Sequence, residues 1–258
     1  MRAFVATARY TYVSHLRWLP PVAFLAQKVL VPLGSVTFFS QVGVYGGSQS
    51  PEFYFLGNAM TVAIAGGFFV GLTLTQEREQ GTLIYLVASP ASRLEVFFGR
   101  AVFPLIEGFL FVLLAFAWTK MLFDFHLHAG SNWVVLLVPI MSATVAAAGL
   151  GLLLGTFVLL GLDWRVVGSI TGFAIFLLSG ANVPLEELPQ AAYVLSKLFP
   201  VTRSILAVRS LAAGDKLAAS VPLILTDVGI GVAYGVLAVL LFAWVVRRGR
   251  RHGTLERI

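Results

Sequence analysis

The run VPLILTDVGIGVAYGVLAVLLFAWVV, residues 221–246, holds one acidic or basic side chain, Asp227, and is followed at once by Arg247, Arg248, Arg250 and Arg251. As a helix it would extend roughly 39 Å at 1.5 Å per residue, enough to cross a hydrocarbon core of about 30 Å. The arginines at its end would sit among headgroups and mark the cytoplasmic face. This stretch therefore predicts a membrane-spanning helix, and its character repeats upstream.

The chain has 258 residues, of which 58% are hydrophobic and 12% charged, with a mean hydropathy of +0.88. A water-facing domain of this size needs far more charge to cover its surface. The net charge is +6, but the basic residues stand at span ends and in the tail. There they favour anionic lipid and argue against nucleic acid as a partner. No cysteine is present, which excludes disulfides, thiolate metal sites and cysteine nucleophiles. Arg9, His15 and Arg17 interrupt any apolar core near the N-terminus, so no signal peptide is expected.

Six spans are expected, at about 29–44, 53–74, 96–116, 133–160, 166–181 and 221–246. Before them, Phe4, Ala8, Tyr12 and Leu16 recur every four residues beside Arg2 and Arg9, predicting an interfacial helix within 1–28 that breaks at Pro20-Pro21. Residues 182–220 are too long for a loop and too broken for a span. Basic residues collect on one side at Arg17, Lys28, Arg78, Arg93, Arg100, Arg165 and the tail. Both termini are thus expected in the cytoplasm, with the cluster Lys197 to Lys216 as an exception. The reading is one multi-pass, all-α domain over 1–258.

Two blocks carry chemistry. The first is the link between the second and third spans, QEREQGTLIYLVASP at residues 76–90, with Arg93 and Gly99-Arg100 beyond it. Its short apolar run is too short to span and too apolar to float in water, so it should lie on the membrane or dock into a partner's groove. The second is LSGANVPLEELP at 178–189, continuing through Phe199-Pro200-Val201-Thr202 to VRSLAAG at 208–214. Together, in order and over essentially the whole chain, these blocks resemble the ABC type-2 transporter permeases.

The resemblance implies the membrane half of an exporter in a prokaryotic cell membrane. It would pair with a second permease copy or homologue and be driven by two separate ABC ATPase subunits, which would hold the ATP and Mg. Residues 76–95 would form the cytoplasmic coupling segment, with Glu77, Glu79, Gly81, Thr82, Leu83 and Leu86 meeting the ATPase. Residues 182–220 would form external re-entrant helices, with Pro184, Pro200 and Arg209 at an outer gate. A hydrophobic or amphipathic drug or antibiotic is the expected cargo, giving efflux and antibiotic resistance; lipid or polysaccharide is the alternative. The short loop after the first span argues against a large external substrate-delivery domain. The chain has no G-x-x-x-x-G-K-[ST] loop to cradle phosphates, so it is expected to be no enzyme and to carry no cofactor itself.

Ionisable residues inside spans are expensive and usually functional. Glu107, in the third span, could face the pathway or be a protonated or paired structural carboxylate facing another helix. Asp227 could contact cargo, cap the outer helices, or pair with Arg203 or Arg209. An intramembrane enzyme using either residue or the histidine loop at 126–128 is a competing reading, as is a membrane anchor that recruits an ATPase without transport. Asp124, His126 and His128 are suitable metal ligands in type, but two histidines on a loop are weak support and no metal is expected. Glycines four apart, at 67/71, 151/155, 168/172 and 231/235, predict close helix packing within the chain or at a dimer seam.

Overall fold

The computed structural model describes residues 5–11, 13, 20–47, 49–81, 93–123 and 133–252. Every regular element among them is helical. A short helix α1 (Pro21–Leu25) runs through a π-helical turn (Ala26–Leu30) into α2 (Val31–Gly46). Then come α3 (Pro51–Glu79), α4 (Arg93–Phe123), α5 (Leu137–Val158) and α6 (Trp164–Leu178). A 3-10 turn (Leu185–Glu187), α7 (Gln190–Ser196) and α8 (Thr202–Ala212) precede the long α9 (Leu217–His252). Five helical stretches are long and apolar enough to cross a membrane: 22–46, 51–73, 101–123, 137–158 and 217–248. The fifth of the six expected spans, α6, has only 15 residues.

Local chemistry sets several of these ends. Pro21 opens α1 at its first turn, where a missing N–H is no loss and the fixed φ is helical. Pro20 before it is non-helical, with ψ 147, at the break the sequence reading expected, and Lys28 lies inside the continuous helix that follows. Ser50 caps α3, its hydroxyl accepting from the Phe53 N–H, and Asp163 caps α6 by accepting from Arg165. Gly81 ends α3 with φ +67, the left-handed conformation that glycine takes without penalty after a helix.

The chain enters and leaves the bundle at one end, here called the near end, where residues 20, 79, 93, 158, 164 and 252 lie; residues 46, 51, 123, 137, 178 and 217 lie at the far end. At the centre is α5, buried along most of its length. A Cβ at Gly67 of α3 would overlap the Ala147 carbonyl, and one at Gly151 would overlap that of Gly67. Gly71 and Gly155 stand in the same relation one turn on. On the other side of α5, Gly149 meets Gly231 of α9 and Gly231 meets Ala146. Apolar side chains gain little by leaving lipid for protein, so this backbone approach is what joins the helices. Two of the four glycine pairs are thus seams inside the chain. Gly168 and Gly172 make only ordinary contacts and Gly235 faces open space.

A fourth contact crosses the bundle. Gly66 of α3 packs on Gly108 of α4, which brings Glu107 inward to the π-helical turn. Lys28 Nζ sits 2.9 Å from both Glu107 carboxylate oxygens and 2.8 Å from the centroid of the Phe69 ring. Lys28 is 2% exposed and Glu107 6%. In the structure Glu107 is a carboxylate paired with Lys28. Breaking a buried pair from one side costs about 3–5 kcal/mol, because the other charge is stranded; replacing both groups by apolar ones is far milder.

Two outcomes follow for the purified chain, read by thermal unfolding in detergent. Gly151→Leu should lower the midpoint sharply, since the side chain must force α3 from α5, while Gly235→Leu should leave it unchanged. Glu107→Leu alone should destabilise by about 3 kcal/mol or more, and Lys28→Met combined with Glu107→Leu should recover most of that loss.

Candidate functional site

A groove opens between three of the helices. A crevice of about 270 Å³ lies between α2, α3 and α6. Helical spacing puts Ser35 and Phe39 on its α2 wall, Asn58, Thr61 and Phe68 on its α3 wall, and Gly172 and Phe176 on α6. Phe39 and Phe176 touch across it, ring centroids 4.4 Å apart. Towards the near end, Phe68 meets Trp164 edge to face at 6.1 Å. These aromatic contacts do much to hold α6, whose other face is bare: Val166, Ile170, Phe173 and Leu177 are all more than half exposed.

The far end is closed by the segment after α6, whose backbone leaves the helix while still buried. Carbonyls there need donors, because lipid offers none. Arg209 of α8 supplies them, giving one N–H to the Gly180 carbonyl at 2.8 Å, and others to Ala181 at 3.1 Å and Phe53 at 2.8 Å. Its guanidinium also lies 3.4 Å from the Phe53 ring centroid. Burial pushes Arg209 down to about 9, so at neutral pH it still carries its charge. Asn58 completes the join, donating to Asn182 Oδ1 at 3.0 Å.

Asp227, fully buried in α9, caps the start of α8. Its carboxylate accepts from the Val201 N–H at 3.1 and 3.2 Å and from the Ser204 hydroxyl, and Ser204 in turn meets Ser142 of α5 at 2.6 Å. Val201, just after the buried Pro200, has φ +75, a strained conformation for a β-branched residue that the surrounding bonds hold in place. Among the three roles considered, capping is the one seen. Asp227 makes no ion pair with Arg203 or Arg209, since Arg209 serves carbonyls and Arg203 serves that of Lys197. Pro184 begins the 3-10 turn at Leu185–Glu187, so Pro184, Pro200 and Arg209 all belong to the far-end cap. Neither Glu107 nor Asp227 lines the crevice.

At the near end, Glu77 and Glu79 lie in the last turn of α3, and Gly81 turns the chain away from it. Thr82, Leu83 and Leu86 lie outside the described residues, as do Asp124, His126 and His128. Sequence reasoning passed over Arg78 as a site residue. Its guanidinium donates to the Val158 carbonyl, one of the last four of α5, which have no partner within the helix and carry the negative end of its dipole. The tip of α3 is thereby tied to the end of the central helix. The available signal was a lone arginine between two glutamates at a span end. Among the described residues, no group of three His, Asp or Glu side chains could hold a metal ion.

Comparison with known proteins gave no match among curated proteins and none among solved structures. The family model described as ABC-2 type transporter matches residues 14–212. That stretch takes in the crevice, the tip of α3 and the far-end cap as far as α8, and the chain belongs to the ABC-2 type transporter family.

Proposed function

We propose that the chain is the membrane-spanning permease of an exporter for a hydrophobic or amphipathic compound, powered by separate ATPase subunits. The observation that carries the choice of cargo is the crevice. Its wall is apolar apart from three neutral side chains, and its volume of about 270 Å³ suits a small compound better than a glycan chain. Membership of the ABC-2 type transporter family supports association with ABC ATPases, which would bring the ATP and Mg that this chain has no phosphate loop to hold.

In this reading the near end faces the cytoplasm of a prokaryotic cell, and α6 completes a sixth crossing. The exposed stripe Val166, Ile170, Phe173 and Leu177 supports a second permease seated against α6. The ATPase grips the segment 76–95 and moves the tip of α3. Because Arg78 ties that tip to Val158, the movement reaches α5 and, through the glycine seams, the crevice wall. Lipid export is the alternative, and the same apolar wall would serve an acyl chain.

Three outcomes check this. Affinity isolation of the full chain from native membranes should co-isolate a cassette ATPase, while the chain alone hydrolyses no ATP; a chain that associates with no ATPase would sink the reading. Gly81→Val, strained at φ +67, should cut export at least several-fold while lowering the chain's thermal midpoint by only the few degrees that one strained residue costs. Gly81→Asn, which tolerates the left-handed conformation, should retain export. Equal export by both variants would remove the coupling role from this turn.

A further inference from the structure

A count of hydrogens in the crevice narrows its ligand. Three polar side chains line it: Ser35 on α2, and Asn58 and Thr61 on α3. The Ser35 hydroxyl donates to the Val31 carbonyl at 2.8 Å, and that of Thr61 donates to the Asn58 carbonyl at 2.7 Å. Asn58 Nδ2 donates twice, to Tyr54 O at 2.9 Å and to Asn182 Oδ1 at 3.0 Å. An amide has two N–H donors and a hydroxyl one, so every side-chain hydrogen on the wall is already used. The backbone N–H groups beside these side chains lie in helix interiors and bond within the helices. What remains are lone pairs: Asn58 Oδ1, Thr61 Oγ1 and Ser35 Oγ.

These acceptors are grouped in depth as well as in kind. Ser35 lies 11 positions before the far end of α2 at Gly46, and Thr61 lies 10 positions after the start of α3 at Pro51. At 1.5 Å per residue both stand about 15 Å below that end, one on each of two walls of the groove, with Asn58 one turn nearer the far end. Around them the wall is aliphatic or aromatic and carries no titratable side chain.

We propose that this crevice selects uncharged, largely apolar compounds that carry a hydrogen-bond donor, a hydroxyl or an N–H, at one point on an otherwise apolar body. An ion would find no countercharge here. A compound with acceptors alone would leave the wall's lone pairs desolvated and unpaired, which costs more than a hydrogen bond returns. A donor at mid-depth meets two hydroxyl oxygens and an amide carbonyl while the rest of the molecule stays among Phe39, Phe68 and Phe176. The proposal takes its purpose from the export reading, but it is tested by binding to the isolated chain, so that loss of an ATPase partner and loss of this selectivity are separate results.

The test is equilibrium dialysis of the purified full-length chain in phosphatidylcholine nanodiscs, with protein-free nanodiscs subtracted. The probes are 4-hexylphenol and its methyl ether, 4-hexylanisole, alike in shape except for the donor. The phenol should bind saturably and about tenfold or more tighter than the ether, the worth of one buried hydrogen bond. Thr61→Val and Ser35→Ala, tested separately, should each bring that ratio down at least threefold, the phenol losing an acceptor and the ether no longer stranding one. Each removes a hydroxyl whose only donor bond is to its own helix, so folding is spared, and an unchanged thermal midpoint verifies it. Equal affinity for phenol and ether overturns the proposal, as does the absence of saturable binding by the phenol. A large ratio that survives both substitutions places the selectivity elsewhere and overturns it too.

Discussion

The structure depends on how closely α5 approaches its neighbours. In lipid the hydrophobic effect does little to press one helix on another, so association rests on short-range packing that only small residues permit. The run ATVAAAGLGLLLG, residues 143–155, presents such residues on two sides of one helix. One side receives Gly67 and Gly71 of α3, and the other receives Gly231 of α9. With both neighbours so close that a methyl group would not fit, α3, α5 and α9 form the rigid middle, and the remaining helices are arranged on it.

Polar groups within the bundle are then largely committed to holding it. Lys28 and Glu107 join the first helix to α4, Asp227 fixes α8, and Arg209 satisfies the carbonyls of an irregular stretch that lipid would leave bare. Each is buried among partners, and none lines the groove. The contrast is with α6, held by aromatic side chains and open on its outer face. Strength on one side and looseness on the other is the distribution expected of a part that must hold shape while one wall moves.

The sequence made the long spans plain, because 20 or more apolar residues in a row admit few other readings, and the coupling and cap blocks identified the family. It also showed which residues were out of place. It could not show their partners: nothing in a linear reading joins Lys28 to Glu107, 79 positions apart, and Pro20-Pro21 reads equally as a stop or as the first turn of a helix. Pairing Asp227 with a nearby arginine was reasonable by charge. The irregular backbone between α6 and α8 decided otherwise, since its unpaired N–H and carbonyl groups claimed both side chains. The glycine pairs looked alike in sequence, but only those opposite another small residue became seams. The crevice was invisible because three helices distant in the chain each contribute a few positions to it.

The shortness of α6 has a consequence for the lipid around it. Its 15 residues amount to about 22 Å, roughly 8 Å less than the hydrocarbon thickness of an ordinary bilayer. The chain makes up the difference on the protein side with the buried turn that Arg209 supports. The outer stripe of Val166, Ile170, Phe173 and Leu177 has no such filler, so whatever packs against it has only a short apolar height to match. A partner surface cut to that height fits it, and a hydrocarbon layer of full thickness does not.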